Sequence, residues 1–172
     1  MAPIREPASE GWAERVERLA RVIPGVAAYE DREGLRDTDK RVRVFVADLL
    51  ANVARVLEPA QRSLADTGRL DRLSDLDRLG RLLATLADRV RFASYGFSGV
   101  FAQQKIREAE LYGLHDFDLR LVQEIPDLRR NVQAVAQAAD SEEFAGLVRT
   151  AEESLRGLEG LLEARDTLAR GL

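Results

Sequence analysis

Two aspartates, one histidine and one arginine have the types and placement that could do chemistry in this chain. Asp118 falls in a heptad series, Leu111, Leu114, Asp118, Leu121, Ile125, Leu128, Val132, Val135 and Ala139, that is otherwise apolar. Asp39 interrupts a similar series between Leu35 and Val42. Counted from the end that their helices share, the two carboxylates stand at similar heights. Arg89 lies at a comparable height beside Leu86 and Val90, and His115 is one turn from Asp118. A charge inside a helical core must be paired or neutralised, because stripping its water costs several kcal/mol. Two carboxylates with an imidazole could hold a divalent cation or do acid–base work. The same residues also suit a buried Asp–Arg pair, or a helix turned so that Asp118 meets solvent and Phe117 faces in. A di-iron centre is excluded, since that class needs Glu-x-x-His on each of two helices and this chain has one histidine and no such motif. Neither a catalytic residue nor a cofactor follows from this cluster.

Aromatic residues make the second constellation. Phe92, Tyr95, Phe97, Phe101, Tyr112 and Phe117 crowd a short stretch broken by Tyr95-Gly96-Phe97-Ser98-Gly99. Large rings at a helix-to-helix connection either plug the end of a bundle or grip a partner. The glycines favour a defined tight turn. Gly96-x-x-Gly99 is not a phosphate loop, because no Lys-Ser/Thr follows it and no strand precedes it. Nearby in the expected fold, Glu30 to Arg43 is charged at ten of fourteen positions. Such a run is a solvated helix start or an electrostatic docking site.

The elements that must position these residues are all helical, since apolar spacing of three and four is nearly continuous and no strand alternation persists. A short helix is expected from about Ser9 to Val22, with Trp12, Val16, Leu19 and Ile23 on one face and Pro24-Gly25 as its stop. That face suits packing on the bundle, and the opposed Arg15, Arg18 and Arg21 would also suit a membrane surface. A long helix follows from Asp31 to Asp66, with Leu35, Val42, Val46, Leu49, Val53, Val56 and Ala60 as its seam and Thr67-Gly68 as its close. The next runs from Leu70 to Ser94 on Leu76, Leu79, Leu83, Leu86, Val90 and Ala93. Another spans Arg107 to Ala139. Asp140 with Glu143 suggests a capping box for the last, which carries Phe144, Val148, Ala151, Leu155, Leu158 and Leu162. Pro59 and Pro126 should bend their helices and free the carbonyls of Arg55 and Val122. Gly146, Gly157 and Gly160 leave the last helix open to close approach, as at a dimer seam, or merely tolerant and exposed.

Short connections between long helices imply an all-α, antiparallel up-down four-helix bundle with an additional short N-terminal helix. One domain over residues 1–172 is expected, with 1–8 as a flexible tail. Tyr29, the charged run and the loop from Tyr95 to Phe101 should then meet at one end.

Composition narrows the function classes. The absence of cysteine removes disulfides, thiol catalysis and thiolate metal sites. A net charge of −4 with interspersed signs gives no basic stripe for nucleic acid. No apolar run approaches the roughly 20 residues of a membrane span, and the N-terminus lacks a signal peptide's hydrophobic region, so a cytoplasmic location is expected.

The runs IPGVAAYEDRE…DTDKRVR, from Ile23 to Arg43, and DRVRFASYGFSGVFAQQKI…LYGLHDFDLRLVQ, from Asp88 to Gln123, carry a resemblance. The stretch from Val16 to Ala138 resembles a family of uncharacterised bacterial helical-bundle proteins. Members show an Ile-Pro-Gly-Tyr start, an Ala-Ser-Tyr-Gly-Tyr/Phe loop and a Tyr-x-Phe-Asp-like segment. This chain departs at Val26, where Tyr would stand, and at Pro59 and Pro126. Genes of that family often neighbour those of band-7 (stomatin-like) membrane scaffolds and zinc-ribbon proteins. The resemblance implies a helical accessory protein acting on a membrane-associated scaffold, and it implies no activity.

The expected function is therefore that of a non-enzymatic interaction or scaffold protein. It would dock a protein partner through Tyr29, Tyr95, Phe97 and Phe101 at the aromatic bundle end. The alternative is a metal- or small-ligand-binding bundle, an enzyme in its strongest form, using Asp39, Asp118 and His115 with Arg89 beside them. A second copy of the chain is the other candidate partner.

Overall fold

The computed structural model describes residues 17, 20–23, 32–93 and 108–169; side chains are described from residue 40 in the first long helix and from 116 in the one that begins at 108. Among the described residues five long or short helices pack together: α1 (Arg32–Arg55), α2 (Glu58–Asp66), α3 (Leu70–Phe92), α4 (Glu108–Gln137) and α5 (Phe144–Ala169). Among the described residues there is no strand, and no helix is long and apolar enough to cross a membrane. The all-helical bundle expected from the apolar spacing is what forms. Of the short N-terminal helix, residues 17 and 20–22 are described as helical, and Ile23 behind them is buried in the common core. Residues Tyr29, Tyr95, Phe97 and Phe101 lie outside the described residues.

The expected helix from Asp31 to Asp66 is two helices in one rod. Pro59 has no N–H to give, and upstream of it the ladder tightens: Val56 N–H donates to Val53 O and Leu57 N–H to Ala54 O, both at 3.1 Å. Pro59 then sits in the first turn of α2, where a missing donor does no harm. Leu57 stands at this step, fully buried. Pro126, by contrast, lies inside an uninterrupted α4. At the far end of α2 the chain reverses in a Schellman close. Arg69 N–H bonds Leu64 O at 2.9 Å and Gly68 N–H bonds Ala65 O at 3.2 Å. Gly68 takes φ +70°, a conformation a side chain would disfavour.

Directions follow from side-chain pairs. Arg43 reaches the end of α3 while Gln61 meets Asp77, so α1–α2 runs antiparallel to α3. Asp118 meets Arg165 and Asn131 meets Ser154, so α4 and α5 are also antiparallel. Arg78 pairs with Glu152 and Arg89 with Glu163, which makes α3 and α5 parallel. The up-down alternation along the chain therefore holds, but consecutive rods are not always neighbours. The broadest packing is α1 on α3 and α4 on α5; α1 also touches α4, and α3 touches α5. That leaves α3 and α4 across a diagonal, joined by residues 93–107.

The core is built of stacked leucine and valine layers. Leu76, Leu79, Leu83, Leu86 and Val90 of α3 are all buried, as are Leu121, Ile125, Leu128, Val132 and Val135 of α4. Phe144, Val148, Ala151, Leu155, Leu158 and Leu162 supply α5. Each large side chain so buried contributes about 1.5–3 kcal/mol, against about 0–1 kcal/mol for an exposed ion pair, so this seam holds the bundle. On α1 the buried line turns from Val42 and Val46 to Leu50 and Val53, and Leu57 continues it at the step into α2. Leu49, Val56 and Ala60, expected on the seam, flank it half-buried.

The capping box expected at Asp140 does not form. Asp140 is an exposed carboxylate in an ion pair with Arg69, and α5 starts four residues later, its first carbonyl acceptor being Glu143 O, which bonds Leu147 N–H at 3.1 Å. A tertiary partner outcompetes the local cap because the α2–α3 turn lies directly beside this one.

Candidate functional site

Both helical hairpins leave one end of the bundle with the start of α1, the end of α3, the start of α4 and the end of α5. Arg89–Glu163 and Asp118–Arg165 place those segments at one level. Within it, among the described residues, a polar layer takes the place of the leucines. Arg165 Nε donates to Asp118 Oδ1 at 2.6 Å, and the two side chains are 4% and 2% exposed. The heptad positions explain why they meet. Asp118 continues the α4 seam below Leu121, and Arg165 is the next step of the α5 seam after Leu162. Antiparallel packing then brings one charge onto the other. A charge-assisted bond to a guanidinium is among the stronger hydrogen bonds, and it lets both ions be buried.

This geometry settles the orientation of Asp118, which faces the core, while Phe117 is half-buried. It also corrects the placement of Arg89. Arg89 does not join a buried polar cluster: its side chain is 40% exposed and lies 3.8 Å from Glu163 on the surface. The reason is angular. Arg89 is one residue before the seam position Val90, which turns its side chain about 100° away from the core. His115 and Asp39 lie on the backbones of α4 and α1 respectively, and their side chains are outside the described residues. Among the described residues, no three His, Asp or Glu side chains come together in a way that could hold a metal ion.

Sequence reasoning found Asp118 and missed Arg165, although its signal was present. Extending the last seam by one step beyond Leu162 lands on Arg165, a charge at a core position on the helix that packs against Asp118.

Around the pair, the same end is organised by a second arginine. Arg43 of α1, half-buried, donates from Nη1 to Ala93 O at 2.6 Å and to Arg91 O at 3.2 Å. These are last-turn carbonyls that α3 cannot satisfy itself. Arg91 in turn reaches Asp48 of α1 at 2.8 Å. The backbone on either side of Phe92 is thus pinned, and the Phe92 ring stands 75% exposed. Farther along the rods, the hydrogen bond to Asp75, with Glu152 opposite, raises the Arg78 guanidinium above the usual arginine range.

Chemically, the pair is a buried, charge-assisted couple. Its aspartate already accepts from a guanidinium, and neither group reaches the surface where a substrate could touch it. No family model, curated protein or solved structure matches this chain.

Proposed function

We propose that this is a non-enzymatic interaction or scaffold protein that captures a protein partner through the bundle end where α1 begins and α3 finishes. The observation that carries the reading is Phe92, a ring 75% exposed at the last position of α3. A single exposed ring is ordinary on a soluble surface. This one is preorganised by the two carbonyl bonds from Arg43, and it leads directly in sequence into Tyr95, Phe97 and Phe101. With Tyr29, these rings make the proposed anchor set. Rigid aromatic anchors lose little entropy on binding and dominate interface energetics, and the arginines and aspartates at the rim would orient the partner. The family resemblance makes a membrane-associated band-7-like scaffold the favoured partner class and a cytoplasmic location the favoured setting.

The test compares Phe92→Ser and the double variant Phe97→Ser/Phe101→Ser with the parent chain. Partner capture from the native host should be lost, with stability within about 1 kcal/mol of the parent. Loss of the fold would show instead that the rings are core, and unchanged capture would end the reading.

The metal- or ligand-binding alternative asks Asp118 to serve as a ligand. Arg165 argues against it, since a fixed positive charge already sits 2.6 Å from Oδ1. Elemental analysis of protein purified without chelator discriminates between the two. Stoichiometric metal, with a melting shift on adding Mn, Fe, Zn or Mg salts, would favour the alternative.

A further inference from the structure

We draw no further inference here: the strongest candidate, the stripe of Gly146, Gly157 and Gly160 on α5, where among the described residues nothing stands within 4 Å of an added Cβ, carries nothing because the structure does not show what covers it.

Discussion

The two ends of this bundle solve the same problem with opposite chemistry. At the end formed by the α2–α3 and α4–α5 turns, the core closes with apolar side chains and the polar work is done outside it. Phe144 is buried there under the Arg72 guanidinium, whose carbon lies 5.3 Å from the ring centroid. The same Arg72 caps the carbonyls of Ala139 and Ser141, and Arg69 binds Asp140 at the surface. At the other end an arginine again caps a helix, Arg43 on α3, but there the charge also enters the core as Asp118 with Arg165. Arginine outside the core ties turns together, whereas arginine inside it creates a dependency between two residues. At the turn end a single change therefore removes one separate contact, whereas at the other end a change to either core charge also disturbs the other.

The largest expected effect breaks that comparison at its sensitive end. Asp118→Ala or Arg165→Ala should lower stability by about 3–5 kcal/mol in urea denaturation, because each removes the 2.6 Å charge-assisted bond made by the opposite, buried charge. Next is Arg72→Ala at the turn end, expected to cost about 1–3 kcal/mol by leaving the Ala139 and Ser141 carbonyls uncapped. A thermal melt would resolve this. Were it to exceed the cost of Asp118→Ala, the contrast between the ends would be reversed. Gly68→Ala should cost about 1–2 kcal/mol, since its φ of +70° penalises any Cβ. Smallest of all, Arg69→Ala and Arg78→Ala should each stay below about 1 kcal/mol and shrink further in high salt, where exposed pairs are screened. A salt-insensitive loss at either position would mean that these pairs act as the buried one does.

How much of this was legible in the sequence depends on which physical rule applied. The seams of α3, α4 and α5 were readable because heptad spacing alone decides which side of a helix meets the core. Asp118 stood out for the same reason. Arg89 was misplaced because proximity to Val90 in sequence says nothing about direction around the helix, and one residue swings a side chain to the surface. Arg165 was readable but lay one step beyond the last apolar member of its series. The diagonal placement of α3 and α4 was not legible, since chain direction alternates equally well whether successive rods are adjacent or opposed. Asp140 was misread because a local capping rule competes with a tertiary partner that only the fold brings near. Pro59 was recognised as a disturbance, but whether a proline kinks a rod or divides it depends on how the preceding turn tightens.

A double-mutant cycle on Asp118 and Arg165 tests the central claim most directly. Asp118→Leu and Arg165→Met should each destabilise the bundle strongly. The double variant should recover to the parent's stability or above it, giving a coupling of roughly 2 kcal/mol or more. Additive losses, with no recovery in the double variant, would contradict the buried pair and the difference between the two ends that is built on it.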